Sequence, residues 1–225
     1  MKTDSTSILS NADRDAFTDA LQAHAPRYAA LVGFEPDEGL RARLADYYAL
    51  IMRWNARLHL VAPCSPEEFA TRHVLESLCA LSFLPQGASV ADVGSGAGLP
   101  LIPCLIARAD LRGIFIEANV KKAVFLREAL RELGLNGANA ATHQVVNARF
   151  EQTSATANDV LTCRALERFA EMLPRLIKWS RAQTLVLFGG ENLRAAIERE
   201  KLTYEAALLP ESEQRFIFHI RRELA

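Results

Sequence analysis

A glycine-rich loop directly after an apolar run limits the possible folds of this chain more than any other feature. Gly94, Gly96 and Gly98 fall within the sequence VADVGSGAGLP, which starts at Val90. Glycines spaced this closely let a backbone turn sharply and approach a ligand. A buried strand followed by such a loop and then by a helix is typical of α/β folds that bind nucleotides or nucleosides. The loop therefore predicts a ligand site at the end of this strand.

From residue 87 onward, strand and helix patterns alternate. This alternation predicts an open, mostly parallel, seven-stranded sheet with helices on both faces. The predicted strands are Ala88–Val93, Gly113–Glu117, Thr142–Val146, Asp159–Thr162, Thr184–Phe188, Thr203–Leu208 and Arg215–Arg221. The predicted helices among them are Leu99–Ala107, Val120–Leu133, Glu167–Trp179 and Asn192–Lys201.

Residues 1–86 are predicted to form a helical extension that belongs to one structural unit with the sheet domain, residues 87–225. We expect loose order in residues 1–12. Apolar residues at spacings of three and four predict one helix from Asp37 to Leu58. A second helix is expected to start at Ser65, with that residue as N-cap, and to end before Pro85.

Composition excludes several classes of protein. Half of the 225 residues are hydrophobic and 24% are charged, as in ordinary globular proteins. The net charge of −1 means that a nucleic-acid partner would need a local basic patch. No apolar run reaches the roughly 18–20 residues of a membrane span, and the polar N-terminus lacks a signal-peptide pattern, so we expect a cytoplasmic protein. The four scattered cysteines predict free thiols, and no spacing suggests a metal site.

The spacing of the loop distinguishes between ligands. A P-loop needs a lysine after the glycines, and none is present. A dinucleotide loop has its third glycine three places after the second, whereas Gly98 follows Gly96 by two. Asp92 would repel a pyrophosphate but suits an ammonium or sulfonium group. Glu117, at the end of the next predicted strand, suits ribose hydroxyls. These features predict S-adenosylmethionine as cofactor; a tight turn without a ligand is the plainer alternative.

Several motifs point to one family. They are RWN from Arg53, RHVLES from Arg72, DVGSGAGLP from Asp92 followed by Ile102-Pro103, FLR from Phe125, and Arg164-Ala165. With them the chain, from about Tyr48 to Leu173, resembles the small-subunit ribosomal RNA methyltransferase G family. The resemblance implies a Rossmann-like class I fold and S-adenosylmethionine as cofactor. It also implies methylation of guanine N7 in the decoding-region loop of 16S rRNA.

The resemblance and the loop together predict a set of cofactor-binding residues. The predicted residues are Asp92, Gly94, Ser95, Gly96, Gly98, Leu99, Glu117, Phe150, Glu151 and Arg164. Within this set the family implies that Glu117 binds the ribose and that Phe150-Glu151 contacts the adenine. The chain departs from the family pattern at Leu101, Glu117 and Val61-Ala62. It also has Phe188 where the family usually has a lysine, which removes a cation able to contact RNA.

Arg164 is the predicted catalytic residue. Guanine N7 has a free lone pair at neutral pH, so its methylation needs alignment rather than a general base. Arg164 would hold the guanine, the cofactor carboxylate or a phosphate; a surface ion pair is the alternative. Asn55, Arg57, Arg72 and His73 are predicted to bind RNA, although a solvated helix end or a structural histidine explains them equally simply.

Two other functions fit the same sequence. One is a small-molecule methyltransferase on this scaffold, which the near-neutral charge and Phe188 favour slightly. The other is a protein that binds S-adenosylmethionine or RNA without catalysing a reaction.

Overall fold

The centre of the protein is a seven-stranded sheet with the order β3-β2-β1-β4-β5-β7-β6. The computed structural model describes residues 10–136, 143–154, 158–164, 166 and 168–222. The strands are β1 (Ser89–Val93), β2 (Arg112–Ile116), β3 (Gln144–Val146), β4 (Val160–Cys163), β5 (Thr184–Gly189), β6 (Tyr204–Leu208) and β7 (Phe216–Arg221). Only β7 runs antiparallel to its neighbours, β5 and β6. The predicted mostly parallel sheet is therefore confirmed, with each described strand within two residues of its predicted start; Thr142 lies outside the described residues.

Helices cover both faces of this sheet. They are α5 (Leu101–Ala107), α6 (Val120–Glu132), α7 (Phe169–Trp179) and α8 (Glu191–Arg199). Alternate residues of β1 point to opposite faces, so Val90 packs with α5, α6 and the helical extension, while Val93 packs with α7 and α8. These helices match the predicted ones, although Glu167, the predicted start of α7, lies outside the described residues.

The extension starts with two long helices, α1 (Asn11–Val32) and α2 (Glu38–Leu58). The sequence predicted α2 but not α1, and the expected loose order of residues 1–12 is wrong for residues 10–12. Ser10 caps α1 by accepting a hydrogen bond from the Asp13 N–H. The reason that α1 forms is tertiary packing, because Phe17 is fully buried and its ring stacks on Tyr48 with centroids 4.6 Å apart.

The next helix changes its winding along its length. Ser65 caps it as predicted, with its hydroxyl accepting from the Glu68 N–H at 3.1 Å. The sequence predicted one regular helix, but the structure has a π-helical segment in the middle. Its parts are α3 (Pro66–Glu68), the π segment (Phe69–Leu75), α4 (Glu76–Leu78) and a 3₁₀ turn (Cys79–Phe83). Arg164 donates hydrogen bonds to the carbonyls of Arg72 and His73 in the π segment, and this contact with β4 is not visible in the local sequence.

Glu76 joins this helix to the sheet. Its carboxylate is only 1% exposed. Oε2 accepts a hydrogen bond from Arg164 at 2.9 Å, and Oε1 accepts two from Arg215, at 2.9 and 2.7 Å. Arg164 directly follows β4 and Arg215 directly precedes β7. One carboxylate therefore fixes the extension against two separate strand ends; we call Glu76, Arg164 and Arg215 the clamp.

We predict that Glu76→Gln destabilises the protein by about 3 kcal/mol, because it leaves two arginines at a largely buried site without their counter-ion. Urea unfolding of the two proteins measures this difference. The matched control is Glu68→Gln, which breaks the exposed pair of Glu68 with Arg72 and should cost less than about 1 kcal/mol. Equal losses in the two variants would contradict the role given to the clamp.

Candidate functional site

A cavity of about 700 Å³ opens at the carboxyl ends of the parallel strands. The chain proceeds from β1 to β2 on one side and returns to β4 on the other, so the direction of strand order reverses there. Open α/β sheets bind their ligands at this kind of reversal, and the volume lies within the roughly 300–1,000 Å³ of small-molecule sites. Its lining residues include Leu60, Val61, His73, Val93, Gly94, Ser95, Gly96, Leu99, Glu117, Phe150, Glu151 and Arg164.

The glycine loop forms one wall of the cavity. Gly94, Gly96 and Gly98 have φ angles of 73°, 52° and 88°, in the left-handed region that favours glycine. Gly94 and Gly96 line the cavity. Gly98 is absent from the lining, because its role is packing: a Cβ at Gly98 would lie 2.3 Å from Cδ1 of Ile102 in α5. The predicted cofactor contact of Gly98 is therefore not supported by the geometry.

Glu117 lies beside the glycine loop in the cavity wall. Its Oε2 accepts a hydrogen bond from the Gly96 N–H at 2.8 Å, and its Oε1 accepts one from the Asn119 N–H at 2.7 Å. The carboxylate thereby joins the glycine loop to the start of α6. Each oxygen keeps further acceptor capacity toward the cavity, which suits hydroxyl donors.

The extension also supports the loop from behind. Tyr47 of α2 is fully buried, and its hydroxyl donates a hydrogen bond of 2.9 Å to the Ala97 carbonyl. Burial raises the pKa of Tyr47 well above its ordinary value, so the phenol stays a donor. The sequence showed Tyr47 only as one residue of an apolar stripe, and nothing local distinguished it from its neighbours.

Asp92 does not reach the cavity wall. The predicted contact with a cationic ligand is not supported, because the side chain points to the face of the sheet that packs against the extension. There its Oδ1 accepts a hydrogen bond from the Thr162 hydroxyl at 2.8 Å, while Oδ2 is buried without a hydrogen bond from any described residue. Burial raises the pKa of Asp92 to about 7, against the hydrogen bond from Thr162 that lowers it.

Arg164 lines the cavity, but its guanidinium bonds to the protein itself. Nη1 donates to the Ser77 hydroxyl and the His73 carbonyl, at 2.9 and 3.3 Å, and Nη2 donates to Glu76 and to the Arg72 carbonyl. The ring of Phe188 lies 5.6 Å away, in cation–π range. The ion pair considered as an alternative is present, since Arg164 pairs with Glu76 at 2.9 Å, but it is buried rather than at the surface, with the Arg164 side chain only 13% exposed. Its contact with a ligand stays a prediction.

Phe150 and Glu151 lie on the far side of the cavity, after β3. Phe150 is 4% exposed and packs edge-on against the ring of Trp179, with centroids 5.5 Å apart. Both residues line the cavity together with Leu99 and Ser95, so the structure brings these four predicted residues to one place.

The structure separates the four predicted RNA-binding residues. Asn55, Arg57 and Arg72 do not line the cavity, whereas His73 does. The Asn55 side chain is engaged in two hydrogen bonds with the backbone of Val61, at 3.0 and 3.1 Å, so it shapes the turn after α2. Arg57 is exposed at the end of α2, and Arg72 pairs with Glu68 at 2.9 Å.

A cationic rim that the sequence did not reveal surrounds the cavity mouth. It consists of Lys122, Arg149, Arg168 and Arg175, which all line the cavity and, apart from the half-buried Lys122, are exposed. These residues come from α6, the loop after β3 and the start and middle of α7. Because they are distant in sequence, only the fold brings their charges together.

Among the residues that the structure describes, no helix is long and apolar enough to cross a bilayer. The same residues contain no group of three or more His, Cys, Asp or Glu side chains arranged to hold a metal ion.

The sheet order, the glycine loop after β1 and the carboxylate after β2 define a Rossmann-like domain. Solved structures with this fold include the B. subtilis M1A22 tRNA methyltransferase TrmK, with a TM-score of 0.52 and 15% identity over 66% of this chain and 65% of that one. P. horikoshii TYW2 in complex with MeSAdo has a TM-score of 0.51 and 13% identity over 66% and 62%. At these identities the likeness concerns the fold alone.

The model of the family described as rRNA small subunit methyltransferase G matches residues 41–221. The chain belongs to this family. Two relatives named "Ribosomal RNA small subunit methyltransferase G" are similar to it. The protein from Xanthomonas axonopodis pv. citri (strain 306) is 42% identical over 61% of this chain and 62% of its own length. The protein from Nitrosospira multiformis is 40% identical over 64% of each. The chain thus spans somewhat less than two thirds of these relatives' length.

We predict that Asp92→Asn stabilises the protein more at pH 8 than at pH 5. The pKa of this carboxyl group is raised from 3.8 to about 7 in the fold. The folded state therefore binds the proton more tightly than the unfolded chain, and the group costs increasing stability as pH rises from about 4 to about 7. The asparagine oxygen can still accept from Thr162 but does not ionise. Urea unfolding at both pH values should show the gain growing by on the order of 2 kcal/mol; a gain independent of pH would contradict the raised pKa.

Proposed function

We propose that the protein transfers the methyl group of S-adenosylmethionine to N7 of a guanine in the decoding-region loop of 16S rRNA. The observation that carries this proposal is the hydrogen bond between the Gly96 N–H and the Glu117 carboxylate, 2.8 Å long. A dinucleotide site uses such loop N–H groups for its pyrophosphate. Here the N–H is occupied by an anion that would also repel phosphate, so the cavity suits an adenosyl ligand without phosphate. Family membership supports the methyltransferase chemistry.

The residues fit the adenosyl cofactor as follows. Glu117 accepts from the ribose hydroxyls, and Phe150 and Glu151 hold the adenine. Gly94, Gly96 and Leu99 let the backbone approach the methionine part. When bound, the cofactor supplies an electrophilic methyl group on a sulfonium.

The reaction itself requires little acid–base chemistry. The bound cofactor would supply a methyl group on a sulfonium, and the lone pair of guanine N7 would accept this methyl group while the carbon–sulfur electron pair stays on sulfur. No proton would have to leave. The protein therefore contributes mainly alignment of the reacting atoms and exclusion of water. This agrees with a cavity in which the Arg164 guanidinium is already fixed by Glu76.

The cationic rim supports an RNA substrate. Lys122, Arg149, Arg168 and Arg175 surround the mouth of the cavity, whereas the whole chain has a net charge of −1. A local concentration of cations in a chain without overall positive charge favours contact with phosphates at this place. The proposed partner is 16S rRNA, within the small ribosomal subunit or free of it, and the proposed location is the cytoplasm.

We predict that Gly96→Ala weakens the binding of S-adenosylmethionine at least tenfold in calorimetry. An alanine there would need a left-handed φ of 52° and would place a methyl group on the cavity side, since only the Gly94 carbonyl lies within 4 Å of the added carbon. The matched control is Gly134→Ala, at φ 65° with nothing within 4 Å. It carries similar backbone strain, about 1 kcal/mol, far from the cavity. Equal affinities in the two variants would contradict the placement of the cofactor.

Incubation with labelled S-adenosylmethionine and separate acceptors tests the reaction. The acceptors are undermethylated small ribosomal subunits, naked 16S rRNA, large-subunit RNA and a panel of small metabolites. We expect label in 16S rRNA, as N7-methylguanine. Label only in a metabolite would instead identify a small-molecule methyltransferase, and cofactor binding without transfer to any acceptor would identify a non-catalytic binding protein.

A further inference from the structure

His73 is held firmly in the cavity wall, yet no residue that the structure describes forms a hydrogen bond with its imidazole. It lies in the π segment, and its ring packs against Phe69 with centroids 5.1 Å apart. Its carbonyl accepts hydrogen bonds from Ser77 and Arg164. In contrast, Nδ1 is buried without a hydrogen bond, and no described residue bonds Nε2. The backbone is thus fixed on two sides. Because Nδ1 is buried, Nε2 is the ring nitrogen that a ligand in the cavity can reach.

The charges around His73 keep its ring neutral. Arg72 lies on the same helix and pairs with Glu68. Arg164 follows β4 and Arg215 precedes β7, and both bind Glu76. Burial, followed by these three arginines, lowers the pKa of His73 to about 3. A neutral imidazole can accept a hydrogen bond, whereas an imidazolium cannot.

The position of His73 points to the methyl acceptor rather than to the cofactor. Glu117, Phe150 and Glu151 belong to the sheet domain and line the side proposed for the adenosine. The extension contributes Leu60, Val61 and His73 to the described lining, and among these three only His73 has a polar side chain. A methyl-accepting base in the cavity would therefore meet one polar side chain, that of His73, among the three residues that the extension contributes to the described lining.

We propose that the neutral imidazole of His73 accepts a hydrogen bond from the N1–H edge of the target guanine and so helps to select and hold this base. This inference rests on the proposed function. Methylation at N7 places a positive charge on the purine, which makes N1–H a stronger donor. The hydrogen bond would thus strengthen as the methyl group moves from sulfur to N7, and such an interaction raises kcat as well as affinity. A protonated His73 would oppose both the bond and the developing charge.

Kinetics of His73 variants on undermethylated small subunits tests the proposal. His73→Leu should lower kcat/KM about tenfold, the loss of one hydrogen bond in a desolvated site, with most of the loss in kcat. His73→Gln, which keeps an acceptor, should recover most of the activity. Calorimetry should show unchanged affinity for S-adenosylmethionine in both variants. The control is His24→Gln on α1, outside the cavity lining, which should have wild-type kinetics.

The protonation state gives a readout that a merely structural residue would not affect. The His73 ring signals, assigned by their loss in His73→Leu, should remain those of a neutral imidazole down to pH 5.5 in NMR spectra. The dependence of kcat/KM on pH should show no histidine step between pH 6 and 8.

Three results would overturn the inference while leaving the proposed function intact. They are wild-type kinetics in His73→Leu, a loss confined to cofactor affinity, or a reduced salt dependence of RNA binding in His73→Leu, which indicates a phosphate contact instead. Failure of the wild-type protein to methylate 16S rRNA would overturn the proposed function itself.

Discussion

The site depends on the ion pairs that the buried Glu76 carboxylate forms with Arg164 and Arg215. It receives hydrogen bonds from Arg164, at the end of β4, and from Arg215, before β7. Arg164 in turn holds the carbonyls of the π segment that carries His73. The extension has further ion pairs with the sheet domain, from Arg27 to Glu211 and from Arg53 to Glu132, but these are more exposed than the pairs of Glu76, whose side chain is only 1% exposed. Burial is the main cause of the lowered pKa of His73, and the positive charges of Arg164, Arg72 and Arg215 lower it further.

The glycine loop is fixed from two directions. Glu117 bonds the Gly96 N–H from the sheet side, and Tyr47 bonds the Ala97 carbonyl from the extension. The loop therefore has its left-handed turns before a ligand arrives, which lowers the ordering cost of binding. In this way the extension supports the glycine loop through Tyr47 and also contributes Leu60, Val61 and His73 to the cavity lining.

Local sequence predicted those parts of the structure that local rules determine. The spacing of Gly94 and Gly96, the Ser65 cap and the alternation of strands and helices each follow from backbone geometry and periodicity, and all of them are present. The structure departs from prediction where distant residues decide. Two carbonyls of the π segment accept hydrogen bonds from the distant Arg164, and α1 packs through Phe17 on Tyr48. Asp92 turned away from the cavity because strand alternation, together with Thr162, fixed its side, and the cationic rim exists only in three dimensions.

The most direct measurement of the central claim is a map of N7-methylguanine in 16S rRNA from cells with and without the gene for this protein. A methylated guanine in the decoding-region loop should be present in the first rRNA and absent from the second, and a plasmid copy of the gene should restore it. The same methylation pattern in both rRNAs would contradict the account that the sheet and its helical extension together build an rRNA methyltransferase site.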